Sequence, residues 1–198
     1  MNFLAHAYLS FGDPKVLLGN FIGDFVRGNL EKIYDRDVVV GVKLHREIDF
    51  YTDRHPAVKE IQTMLKPKFG RYATIITDMY FDYFLAKYWD NYHSIPLEEF
   101  SFQVYEIIED YPEILPKNFL HTFYYMKKQN WLYAYRNIAG IKRAMEGMAK
   151  RASFKSNMET AHLFLEEHHE VIRELFIAFF EDLVAFAKIR LAVLKSEI

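Results

Sequence analysis

The stretch VVVGVKLHREIDFY, residues 38–51, decides the fold. Its opening valines, Val38 to Val40, form the best β-strand candidate in the chain, since β-branched residues favour extended backbone. From Gly41 onward the apolar residues recur at helical spacing, and the valine run continues into them without a break. The stretch therefore reads as helix, from about Arg36 to Tyr51. On that reading His45 and Asp49 stand four residues apart, one turn from each other on the same face.

Two neighbouring segments repeat the arrangement. LLGNFIGDFVRG places Asn20 and Asp24 four residues apart, and TDMYFDYF does the same for Asp78 and Asp82. Each pair can aim two ligating groups in one direction, so three such helices packed together can build an Asp/His cage for a hard cation. Taken singly, a His/Asp pair at this spacing is most often a structural hydrogen bond. Three pairs embedded in Phe, Leu and Ile carry more weight, because unpaired carboxylates on apolar faces are costly to bury.

Helical periodicity runs through the rest of the chain, and no alternating strand survives. Asp13 followed by Pro14 predicts a helix start, with the helix running to Gly28. Within it Gly19 and Gly23 leave a strip free of side chains for a neighbouring helix. Thr52 and Asp53 mark a break, and His55 with Pro56 opens a helix to about Leu65. Further helices are predicted at about 71–92, 97–110, 117–128 and 137–150, and 158–195 reads as a bent pair or one long helix. The expected fold class is all-α, a single-domain helical bundle over residues 1–198.

Composition agrees with that class. The chain has 198 residues, 51% of them hydrophobic, which is enough for a sizeable core. Only 8 glycines and 6 prolines argue against a turn-rich β architecture. With no cysteine, disulfides, thiolate metal sites and cysteine nucleophiles are excluded, so a metal must be held by oxygen and nitrogen. A net charge of -2 gives no overall preference for nucleic acid or an anionic membrane. MNFLAHAYLSFGD lacks the basic flank and long apolar core of a signal peptide, and Glu181, Asp182, Lys188 and Arg190 interrupt the apolar stretch 175–194. The expectation is a soluble cytoplasmic protein.

Metal-assisted phosphoester hydrolysis asks for carboxylates or imidazoles to hold an ion, a water the ion can acidify, and a cation for the phosphoryl oxygens. Asp24, His45, Asp49, Asp78 and Asp82 can meet the first need, with His6 as a further ligand. Arg46 or Arg27 can meet the last, since a guanidinium fork matches phosphate. Asn20 suits a weak ligand or a hydrogen-bond partner that orients one. His55 and Asp53 read as caps, and His93, His121, His162, His168 and His169 as surface or structural residues.

Between Arg136 and Lys155 the basic residues Arg136, Lys142, Arg143, Lys150, Arg151 and Lys155 face Glu146 alone. On a near-neutral chain this is a local positive patch that can steer an acidic partner, with a solvated helix face as the plainer alternative. Trp131, Tyr133 and Tyr135 lie near it, but no RNA-binding motif accompanies them and nucleic acid is not expected.

MNFLAHAYLS, LLGNFIGDFVRG, LHREIDFYTD and RYATIITDMYFDYFLAKYW, in this order, resemble the acyl carrier protein phosphodiesterase family. QNWLYAYR and GMAKR are similar to further family regions, and the likeness is strongest up to about Trp89. The resemblance implies a helical fold distantly related to the HD-type metal phosphohydrolases. It also implies dependence on a divalent cation, typically manganese, with magnesium and iron as alternatives. The implied reaction removes the 4'-phosphopantetheine arm from holo acyl carrier protein.

Position by position, His6 falls in FLAH, Asp24 in GDFVRG, His45 and Asp49 in LHREID, and Asp78 and Asp82 in TDMYFD. No adjacent His-Asp doublet of the HD type is present, so the centre departs from that pattern. The expected roles are Asp24, His45 and Asp78 as ligands, and Asp49 and Asp82 as ligands or orienting groups. Arg46 is expected on the phosphoryl oxygens, and Lys142, Arg143, Lys150 and Arg151 as the dock for the acidic carrier protein. Competing readings are a phosphohydrolase acting on a small phosphoester or nucleotide, a non-enzymatic carrier-protein-binding module, and a purely structural helical protein. Exposed aromatics leave room for a homodimer.

Overall fold

A computed structural model describes residues 1–197, and among them there is no β-strand. The 38–51 stretch is helical throughout, within α3 (Arg36–Thr52). Before it come α1 (Phe3–Tyr8) and α2 (Pro14–Ile22). Asp13 caps α2 as its type and place predict, accepting from the amides of Lys15 and Val16 at 3.1 Å each. The end of α2 departs from the sequence reading. The helix stops at Ile22, the chain tightens into a 3-10 turn over Gly23–Phe25, and Val26 is extended. Asn20 and Asp24 therefore do not share one regular helical face.

After α3, His55 Nδ1 caps α4 (Pro56–Phe69), which continues past the predicted Leu65 and carries Pro67 inside it. The predicted 71–92 helix is shorter at both ends, as α5 (Ala73–Lys87) between 3-10 turns at Gly70–Tyr72 and Trp89–Asn91. Then follow α6 (Leu97–Glu109), α7 (Lys117–Lys128), a short α8 (Trp131–Ala134) and α9 (Ile138–Ala149). The last segment is a broken pair, α10 (Ala161–Glu167) and the 29-residue α11 (His169–Glu197).

Two contacts position the site. The first joins α2 to α3 backbone to backbone. A Cβ on Gly19 would sit 2.0 Å from the Val38 carbonyl oxygen, and one on Gly41 would sit 2.2 Å from that of Val16. Only hydrogen fits at either place, so the two helices touch along their main chains. The second is the burial of α5. From Met79 to Ala86 every residue is buried, whichever face it occupies. A helix that is apolar nearly all round belongs in the middle of a core.

Phe81 and Phe84 of α5 stack on Phe179 and Phe176 of α11 with ring centroids 4.8 and 5.6 Å apart. Each fully buried Phe contributes roughly 1.5–3 kcal/mol. Behind α3, α11 adds a brace in which Tyr51 stacks on Phe186 at 4.3 Å and Arg190 grips Glu47 with two hydrogen bonds. No helix of the described residues is long and apolar enough to cross a membrane.

Candidate metal centre

The close α2–α3 contact brings Asn20, 0% exposed, beside His45 of α3 and His6 of α1. The two imidazoles stack with centroids 4.0 Å apart and planes 19° from parallel. His6 Nδ1 is 2.7 Å from the Asn20 side-chain oxygen, and His45 Nδ1 is 2.7 Å from the Asn20 backbone oxygen. The Asn20 amide nitrogen donates to the His6 carbonyl at 2.8 Å and to Ser10 Oγ at 3.1 Å. Gly23 closes the pocket behind His45, where a Cβ would lie 2.3 Å from the ring.

The other ring nitrogens converge on carboxylates. His6 Nε2 is 3.3 Å from Asp49 Oδ1, while His45 Nε2 is 3.2 Å from both Asp49 Oδ2 and Asp24 Oδ1. Neither Nε2 makes an aligned hydrogen bond, although both atoms are buried. Ligand atoms of His6, His45 and Asp49 all lie within 4.8 Å of one another. Two buried imidazole nitrogens without a hydrogen-bond partner, flanked by carboxylates, fit a divalent cation that accepts nitrogen and oxygen ligands.

The charges are strongly coupled. Burial, with the adjacent His45 ring, pushes His6 down to about 4 despite the pull of Asp49. Burial opposes charge on His45 too, but Asp24 and Asp49 outweigh it and raise the group to about 9. Asp49 is held well below the usual carboxylate range, its burial outweighed by His45, His6 and the N-terminal amine. His45 likewise keeps Asp24 low.

The other sequence-predicted residues are placed differently. Asp78 lies next to the cluster, sharing the Met1 amine with Asp49 at 3.2 Å each. That amine is raised to about 11, since the two carboxylates outweigh the burial that opposes its charge. Asp82 lies outside the cluster. Its carboxylate accepts the first-turn amides of α1, Leu4 at 2.8 Å and Ala5 at 3.1 Å. Burial nevertheless raises it to about 7, with those amides opposing. It anchors the helix that carries His6.

Arg46 is exposed, with its guanidinium against the Val26 carbonyl at 3.4 Å, and Arg27 is exposed as well. Neither lines the cleft above the carboxylates. Residues adjacent on a helix point about 100° apart, so a neighbour of His45 faces elsewhere. The cleft encloses about 1040 Å³, with Asp24, Asp49, Asp53 and Asp78 at its acidic end and Arg71, Arg143, Lys150 and Arg151 as its basic lining. Trp131, Tyr135, Ile75, Ala144 and Met148 supply apolar wall. Lys142 is exposed and does not line it. Arg71 and Ser10 escaped the sequence reading. No spacing marks Arg71, which enters the cleft from the turn before α5, and a lone buried serine carries no signal.

A family model described as acyl carrier protein phosphodiesterase matches residues 1–183. A relative of that name from Photorhabdus laumondii subsp. laumondii is 35% identical over 183 residues, covering 91% of each chain. Another of the same name from Enterobacter sp. (strain 638) is 35% identical over 193 residues, covering 95% of this chain and 98% of the relative. One from Escherichia coli (strain K12 / DH10B), also so named, is 32% identical over 188 residues, covering 94% and 97%. No solved structure matches the chain. With its family match running through all three elements that carry the two histidines and the carboxylates beside them, this chain belongs to the acyl carrier protein phosphodiesterase family.

Proposed function

We propose that this protein hydrolyses the phosphodiester joining 4'-phosphopantetheine to holo acyl carrier protein, giving the apo protein and free 4'-phosphopantetheine. It does so with a divalent cation, manganese foremost, held by His6, His45, Asp49 and Asp24. The observation that carries the reading is the pair of buried, unpartnered Nε2 atoms set among carboxylates beside a cleft with a basic lining. When bound, the ion would supply Lewis-acid charge at the phosphoryl oxygens and lower the pKa of a water.

The chain's own residues do the rest. Asn20 fixes the two imidazoles through their Nδ1 atoms. Asp78, lining the cleft beside Asp49, extends the carboxylate set toward the substrate. Arg71, Arg143, Lys150 and Arg151 give the arm and its phosphate a cationic path and draw in the acidic carrier protein. Arg71, Arg143 and Arg151, rather than Arg46, are the guanidiniums the cleft offers to the phosphate.

The test is the intact mass of holo acyl carrier protein after incubation with this protein, once with manganese and once with a chelator. Loss of the 4'-phosphopantetheine mass with manganese alone is the expected result. An unchanged mass while manganese is bound removes the carrier protein as substrate and moves the search to small phosphoesters.

A further inference from the structure

We infer that Asn20 is the positioning residue for both imidazoles, its side chain governing His6 and its backbone governing His45; this rests on the metal reading above. A carbonyl oxygen can only accept a hydrogen bond, so each Nδ1 facing Asn20 carries the proton. Once a cation takes the place of any Nε2 proton, each Nε2 presents its lone pair on the carboxylate side. The carboxamide cannot serve equally well turned over. Its nitrogen is committed to the His6 carbonyl and Ser10 Oγ, and the Ser10 hydroxyl itself donates to that carbonyl at 2.9 Å.

The backbone half depends on where α2 stops. Because the helix ends at Ile22, the Asn20 carbonyl is among the last four that an α-helix leaves without its usual partner. His45 Nδ1 takes that place. A longer helix, as the sequence alone suggests, would engage the carbonyl in its own ladder. The early stop and the histidine orientation are one device.

This division of labour gives a specific mutational pattern. Side-chain changes at Asn20 disturb the His6 arm and spare the His45 arm. Manganese affinity, read from the EPR signal of the free ion, is the measurement. Asn20→Ala is expected to weaken binding by about 10–100-fold. Combined with His6→Ala it should add nothing beyond the worse single variant. Combined with Asp24→Asn, which touches the His45 arm, the two losses should multiply.

A purely structural asparagine would lower the melting temperature and multiply with both partners. Ser10→Ala, which removes one of the two groups fixing the carboxamide, repeats the cycle with a smaller loss should Asn20→Ala fail to fold. Wild-type protein that takes up no manganese removes the metal reading and this inference with it. Binding by the wild type, with Asn20 and His6 losses that multiply or with Asn20→Ala within about twofold, overturns this inference alone.

Discussion

The two ends of the cleft are built on opposite principles. At the acidic end His6 and His45 are buried, and both Nδ1 atoms are tied to Asn20. At the basic end Arg71, Arg143, Lys150 and Arg151 are exposed. A buried group has one geometry and no solvent to replace a lost partner, so its removal is felt in full. An exposed charge is screened and adjustable, and its removal is graded. The histidines of the acidic end are enclosed and fixed, the cations of the basic end open to solvent.

The sharpest way to break this contrast is at His45. His45→Ala should lower both manganese affinity and turnover of holo acyl carrier protein by more than about 100-fold, beyond what loss of an orienting partner costs. Circular dichroism should show the helices kept. A modest loss would place His45 with the graded group and undo the distinction. At the other end, Arg143→Glu combined with Lys150→Glu should raise KM about tenfold, leave kcat within about twofold, and flatten the salt dependence. A fall in kcat with KM unchanged would instead put these cations at the reacting phosphate.

Asp82 tests whether the anchoring of α1 belongs to the rigid end. Its carboxyl titrates near 3.8 when unfolded and at about 7 when folded. The folded state therefore holds the extra proton between those values. The resulting stabilisation is fully present below about 3.8 and is lost as the pH rises through about 7. The melting temperature of the wild type minus that of Asp82→Asn should therefore fall from pH 4 to pH 7. A gap that stays constant would show that Asp82 does not titrate there. The smallest effect is expected at Arg46, where Arg46→Ala should leave turnover within about twofold while Arg71→Ala does not. Equal losses would return Arg46 to the site.

Much of this was legible in advance, for reasons that differ by residue. His45 and Asp49 were readable because both lie within one uninterrupted helix, where spacing translates directly into direction. The helical pairing of Asn20 with Asp24 fails, since Asp24 lies in the 3-10 turn past the end of α2, yet both still reach His45. Asp82 looked equivalent to Asp78 because periodicity cannot say what stands opposite each turn of a helix buried all round. For Asp82 it is the start of α1, for Asp78 the cleft. Arg71, Arg143, Lys150 and Arg151 share the cleft with the acidic end across a distance in sequence that no local pattern encodes.

The long last helix has a bearing on where this fold can be cut. The family match ends at residue 183, past every residue of the acidic end. Arg190, which grips Glu47 on the far side of α3, and Lys195, which reaches Asp13 at the start of α2 at 2.7 Å, both lie beyond that point. A fragment trimmed to the match would keep each chemical group and lose the fastening behind the two helices that aim them. The family match takes in the acidic end, and the mechanical boundary lies a few turns further on.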